Sequence, residues 1–165
     1  MRSATGSIRG SVARVRRARP ADLPALARVA LGAWRATFVA IVPPVVVAAR
    51  SLADFRRRFA ASLAQVRVVE WRGRIAGFTL VTDGHIDMLF VDLHAQGRGL
   101  GRALLADAER RGARSLESFA RNRAARAFYA AAGWRVTRSY RRVFLRARLS
   151  FVRMERAPAT RPETR

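Results

Sequence analysis

The hydrophobic pattern is most informative between residues 66 and 112. Val66 to Trp71 and Ile75 to Thr82 are apolar, β-branched runs separated by a turn at Arg72-Gly73, and both read as strands. Asp83-Gly84 is a hairpin signal leading into a third strand, His85 to Val91. Ile86 to Val91 is almost wholly apolar, as a strand covered on both faces is. Gln96 to Gly101 then places three glycines in six residues. From Leu100 the apolar positions step to Ala103, Leu104 and Ala108, one face of a helix that ends near Gly112. A strand, a glycine loop and a helix start bring backbone N–H groups together at the positive end of a helix dipole. That is an anion site whose usual occupant is a phosphate. Without a ligand, the same residues form a glycine-rich turn.

The pattern extends both ways. Val12 to Arg19 predicts an edge strand ended by Pro20. Asp22 is placed to cap a helix whose apolar face is Leu23, Leu26, Ala27, Ala30, Trp34 and Phe38. Ile41 to Pro44 is a break. Ser51 to Asp54 is a capping box opening a helix with Leu52, Phe55, Phe59 and Leu63 at helical spacing. After Gly112, Ser115 to Ser118 predicts a short strand. Asn122 predicts the cap of a helix with Ala125, Phe128, Tyr129 and Ala132 on one face, closed by Gly133. Trp134 to Tyr140 and Val143 to Met154 predict a final strand pair. The expected order is β-α-α-β-β-β-α-β-α-β-β, in a single domain over 12–156 with flexible tails over 1–11 and 157–165.

Composition narrows the chemistry. Of 165 residues, 33 are basic and 11 acidic, for a net charge of +22, and every basic residue is arginine. Such a surface attracts polyanions non-specifically. Arginine stays protonated, so none is a general base. Without lysine there is no Walker A loop and no Schiff base; without cysteine there is no disulfide, thiolate metal site or acyl-cysteine. His85 and His94 are the only histidines, which argues against a histidine-built metal centre, and His94 reads as a loop residue. The apolar run Val39 to Ala49 is too short to span a membrane. The expected location is the cytoplasm, with no membrane partner, as a monomer or homodimer.

The glycine loop is not a dinucleotide fingerprint, because Arg102 or Leu104 stands where the last glycine is needed. Gln96-Gly97-Arg98-Gly99-Leu100-Gly101 resembles the Gln/Arg-x-x-Gly-x-Gly/Ala signature of the GNAT (GCN5-related) N-acetyltransferases. Asn122-x-x-Ala125-x-x-Phe128-Tyr129-x-x-x-Gly133-Trp134 resembles a second signature of that family, with tryptophan for its usual phenylalanine. Leu93 departs from the family's usual proline. The resemblance covers roughly Val12 to Glu155. It implies the GNAT α/β (α+β) fold, a central mixed, mostly antiparallel sheet flanked by about four helices.

It also implies acetyl-CoA as co-substrate, no metal, and transfer of acetyl to a primary amine of a small molecule or peptide by direct attack. By that resemblance, Gln96, Gly97, Arg98, Gly99, Leu100, Gly101 and Arg102 hold the pyrophosphate. Leu89, Phe90 and Val91 pair with the pantetheine arm, in a cleft where their strand splays from 115–118. Tyr129 protonates the departing thiolate; its plain alternative is a core tyrosine. Asn122 contacts the cofactor or is simply a helix cap. Three residues are candidates for the base: Glu117, matching the ribosomal-protein N-terminal acetyltransferase branch, His85, matching the histone acetyltransferase branch, and Asp87 on the same strand. The 23–54 region is expected to meet the acceptor. The positive charge argues against a polycationic acceptor unless Asp54, Asp83 and Asp87 gather. Most of the arginine runs 56–58, 110–111 and 141–142 are expected to be solvated faces, with a few helping to attract the cofactor's phosphates. The rival readings are a basic nucleic-acid-binding module and an acetyl-CoA-binding regulatory domain without turnover.

Overall fold

The computed structural model describes residues 13–157. The tail expected over 1–11, Val12, and all but Ala157 of the C-terminal tail lie outside the described residues. The elements are β1 (Val15–Arg17), α1 (Leu23–Phe38), α2 (Pro44–Ala48), α3 (Leu52–Ala61), β2 (Val66–Trp71), β3 (Arg74–Thr82), β4 (His85–Val91), α4 (Leu100–Arg110), β5 (Ser115–Phe119), α5 (Arg123–Ala131), β6 (Arg135–Phe144) and β7 (Ala147–Glu155). The strands form one seven-stranded sheet in the order β1-β2-β3-β4-β5-β7-β6. Only β4 and β5 are parallel, because α4 carries the chain back between them.

Neighbouring strand residues split between the two faces. Val66, Val68, Phe78, Phe119 and Phe151 join Leu26, Ala30, Trp34, Phe55 and Phe59 of α1 and α3 in one core. On the other face Leu116, Val152 and Met154 meet Leu105, Ala108, Tyr129 and Trp134. Val69, Ala76, Leu100 and Leu104 close the core under the glycine loop.

Four local expectations need correction. Asp22 does not cap α1; its carboxylate accepts from the Arg19 N–H at 2.8 Å and from Arg16 Nη1 at 2.8 Å, closing a 3-10 turn (Pro20–Asp22) ahead of the helix. Pro43-Pro44 does break the chain, but Pro44 then starts the short α2, since proline suits the first helical position. Leu52 is 44% exposed, leaving the apolar face of α3 to Phe55 and Phe59. The last hairpin turns at Leu145-Arg146, not at 141–142, with φ of 46° and 67°. Non-glycine residues in the left-handed region give no turn signal in sequence.

Gly77 on β3 shows how tightly the sheet is packed where it meets the site. A Cβ there would lie 2.8 Å from the Phe90 carbonyl oxygen on β4 and 3.2 Å from both Leu104 and Val69. Gly77→Ala is expected to cost about 1–3 kcal/mol, because β4 backbone must move to admit one methyl group. The urea midpoint measures it; an unshifted midpoint would mean β4 is free to give way.

Candidate active site

Opposite β3, Leu80 pairs with Met88 and Val81 with Ile86, so Asp87 is an extra residue: a β-bulge in β4. A bulge bends its strand and sharpens the twist. β4 and β5 accordingly pair only at His85–Ser115 and Ile86–Leu116, and then part. From Asp87 to Val91 the β5-facing edge of β4 has no strand partner. This corrects the reading of Ile86 to Val91 as a strand covered on both faces: Met88 to Val91 are half-buried because they form a wall between two clefts.

The first cleft, of about 400 Å³, runs from the open edge of β4 to the glycine loop. Gln96, Gly97, Gly99, Leu100, Gly101 and Arg102 border it along with Leu89, Phe90 and Val91. Gly97 and Gly99 take φ of 73° and 78°, a region L-residues avoid, and Gly99 is the N-cap of α4. The loop's amides thus gather at the positive end of α4, beside the Arg102 side chain. Gln96 Nε2 donates to the Val91 carbonyl at 3.4 Å, tying loop to strand. Arg98 is placed differently. Its guanidinium lies 4.2 Å from the centre of the Trp71 ring, where Arg72 also stacks, and it does not border the groove. Arg98 therefore leaves only its backbone amide in the loop, while its side chain pins the loop to β2.

The second cleft, of about 450 Å³, lies between α1, α3 and the parted ends of β4 and β5. Leu89, Phe90, Asn122, Ala125 and Tyr129 border both clefts. Tyr129 is 7% exposed, and burial pushes its phenol pKa up, which holds the proton on at neutral pH. Its ring sits 5.1 Å from Phe128 and 5.9 Å from Trp134, centre to centre. Asn122 is the cap of α5: its Oδ1 accepts from the Ala125 N–H at 3.1 Å, and the residue borders both clefts.

All three base candidates border the second cleft, each with a partner. Glu117 accepts from the Tyr140 hydroxyl and from Arg142 Nη2. Desolvation and then the Glu117 hydrogen bond raise the Tyr140 pKa, so Tyr140 stays a donor. His85 Nδ1 meets Ser115 Oγ at 2.9 Å, and no hydrogen bond engages its Nε2 among the described residues. Asp87 lies 3.8 Å from Arg58. His94 is outside the site, in a 3-10 turn (Leu93–Ala95) where its N–H donates to Asp92. Asp54 and Asp87 share the second cleft, but Asp83 remains in the β3–β4 turn. No group of three metal-ligating side chains occurs among the described residues.

The family model for the GNAT acetyltransferase domain matches residues 43–157. The chain is a GNAT acetyltransferase. Solved structures show the same fold. A GCN5-related N-acetyltransferase from Rhodopseudomonas palustris is 23% identical, with a TM-score of 0.72, over 93% of this chain and all 100% of that one. The ribosomal-protein-S18-alanine N-acetyltransferase from Escherichia coli is 24% identical, with a TM-score of 0.61, over 90% of this chain and 98% of that one. The Salmonella typhimurium protein yncA, solved with its cofactor acetyl-CoA, is 20% identical, with a TM-score of 0.64, over 93% and 99%. A sequence search of curated proteins found no match.

In this acetyltransferase the 23–54 region supplies Trp34, Phe38, Arg50 and Asp54 to the second cleft. Sequence reasoning missed Arg50, Arg58, Tyr140 and Arg142 there. Arg58 and Arg142 belong to runs read as solvated faces; all five residues of those runs are exposed, but only Arg58 and Arg142 border the cleft. Residues 58, 117 and 142 come from α3, β5 and β6, and the β5–β7 and β6–β7 pairings that set 117 and 142 on neighbouring stretches of sheet leave no mark in the local pattern. The 110–111 run is also not free: Arg110 and Arg111 pair with buried Asp107, which Arg67 approaches from β2.

Proposed function

We propose that the chain transfers the acetyl group of acetyl-CoA to a primary amine by direct attack in a ternary complex. One observation carries this: Tyr129 stands where the loop-lined groove and the acidic-and-aromatic cleft meet, touching both. The first cleft fits coenzyme A chemically. It offers clustered amides for a pyrophosphate, an open strand edge for an amide-bearing arm, and Arg102 for added charge. The presence of acetyl-CoA in the Salmonella typhimurium relative supports the same choice. Acetyl-CoA supplies an acetyl group activated as a thioester. The open-edge amides of Leu89 to Val91 hold the thioester oxygen as charge develops on it. Tyr129 delivers its proton to the departing sulfur, since a phenol that stays protonated can still give its proton to a thiolate of conjugate-acid pKa about 8.5.

Glu117 takes the amine's proton. It follows Leu116, the last β5 residue paired with β4, and borders the second cleft where the strands part, whereas His85 is four residues from Leu89, about 13 Å at strand rise. His85 is the second reading, favoured by its free Nε2. Glu117→Gln is expected to lower kcat/KM about 10²-fold; an unchanged kcat/KM that His85→Asn lowers instead would pass the role to His85. A nucleic-acid module is less well supported: among the described residues the exposed large apolar ones are Val39, Val45, Leu52, Leu93, Val136 and Val143, none of them a base-stacking aromatic.

The test of the reading is a thermal-shift titration with acetyl-CoA against desulfo-CoA, ATP and heparin. Ligand at 100 times its Kd should stabilise by about 2.7 kcal/mol, and Gly99→Glu should abolish the shift by straining the loop and placing a carboxylate in the anion site. If heparin and ATP shift the protein equally, and Gly99→Glu changes nothing, the loop is only a turn.

A further inference from the structure

The second cleft holds one arginine that no carboxylate of the described residues contacts. Its lining carries Arg50, Arg58 and Arg142 beside Asp54, Asp87 and Glu117. Glu117 is taken by Arg142 and Tyr140. Asp54 accepts from Ser51 N at 2.9 Å, Ser51 Oγ at 2.6 Å and Arg57 at 2.5 Å. Asp87 has Arg58, at 3.8 Å. Arg50 alone has no carboxylate within ion-pair distance among the described residues.

Arg50 is half-buried, its guanidinium 5.8 Å from the centre of the Trp34 ring. Desolvation, and next the neighbouring Arg58 charge, act against its positive form, and Asp54 favours it only from beyond ion-pair distance. A half-buried cation beside a second cation is unfavourable unless an anion completes the set. The anions of coenzyme A are not that partner, because neither Arg50 nor Arg58 borders the groove under the glycine loop. The missing countercharge therefore belongs to whatever occupies the second cleft. Around it the walls are aromatic: Trp34, Phe38, Phe55, Phe119 and Phe144.

We propose that the acceptor is a small amine carrying a carboxylate and an apolar body, an apolar α-amino acid in its simplest form, whose carboxylate is held by Arg50 with Arg58 beside it. This rests on the acetyl-transfer reading above and names the acceptor of that site. The guanidinium donates paired N–H groups to the carboxylate, the aromatic walls take the side chain, and the amine is left toward Tyr129 and the groove. The reaction is the one already described: the amine nitrogen bonds the acetyl carbon, the carbon–sulfur bond breaks, the sulfur gains the Tyr129 proton and the nitrogen loses one. The carboxylate is unchanged.

The experiment measures thiol release from acetyl-CoA by the full chain, with phenylalanine, phenylalaninamide and phenethylamine, and with leucine, leucinamide and isopentylamine. These keep the amine and the apolar body while deleting the charge. The acids should exceed their amides in kcat/KM by about 10- to 100-fold, the span of one charge-assisted contact. Arg50→Gln should remove that preference, bringing kcat/KM for each acid down to that for its amide, Arg50→Lys should restore part of it, and the acetyl-CoA thermal shift should persist in both. Amides or simple amines used as well as the acids would overturn the proposal, as would no acetylation of any of the six by a protein that acetyl-CoA stabilises. Loss of the acetyl-CoA shift in the wild type would instead strike the acetyl-transfer reading itself.

Discussion

Replacing Tyr129 with phenylalanine should lower kcat by about 10²- to 10⁴-fold and leave the Kd of coenzyme A nearly unchanged. The two effects separate because the hydroxyl and the ring have different tasks. The ring fills a buried site against Phe128 and Trp134, and phenylalanine keeps that packing. The hydroxyl carries a proton that burial holds in place. Without it the thiolate must leave unprotonated or wait for water, and a leaving group protonated in the transition state differs from a bare one by this range. Steady-state kinetics with any accepted amine, together with calorimetric titration of coenzyme A, give both numbers. Unchanged turnover would remove Tyr129 from the chemistry and leave it a core residue.

Trp134→Ala should cost about 3–5 kcal/mol of stability. Trp134 is 1% exposed, its indole N–H donates to Glu109 Oε1 at 2.7 Å, and its backbone N–H donates to the Tyr129 carbonyl at 3.0 Å just past Gly133. Truncation opens a cavity behind Tyr129 and leaves Glu109 with Arg156 alone. Against a total of about 5–15 kcal/mol that is a large fraction, and Tm should fall by on the order of 6–20 °C. Trp134→Phe keeps most of the ring and should cost less. A second readout ties the residue to the site: at a temperature where Trp134→Ala is still folded, kcat should also fall, because Tyr129 loses the wall it rests on. A stable variant with normal kcat would show that the α5–β6 corner repacks and that Tyr129 is positioned from elsewhere.

The seven strands and four of the five helices in their order, the glycine loop, the caps at Ser51 and Asn122 and the helix closed by Gly133 were all legible along the chain, because each depends on residues a few positions apart. The periods of strand and helix differ, and turn and cap chemistry is local. Errors fell where a local signal had a stronger distant competitor. Asp22 is a good cap, but Arg16 across the strand end holds its carboxylate. Arg98 reads as a phosphate ligand, but Trp71 takes its side chain. Leu145-Arg146 turns without glycine or asparagine, so the final hairpin was placed early.

By itself, then, the sequence determined the family, the order of the strands and of every helix but α2, and the backbone chemistry of the loop. It also excluded cysteine and lysine mechanisms outright. Only the tertiary structure decided the site's shape. The bulge at Asp87 splits β4 from β5, and the split puts Tyr129 between two clefts. It decided too which of 33 arginines matter in the second cleft: Arg50, Arg58 and Arg142 reach it from separate stretches of chain. The physical reason is range. Periodicity, caps and turns act over one or two turns of chain, whereas strand register and charge balance are set by partners tens of residues away, and one residue of register redirects every side chain on a strand.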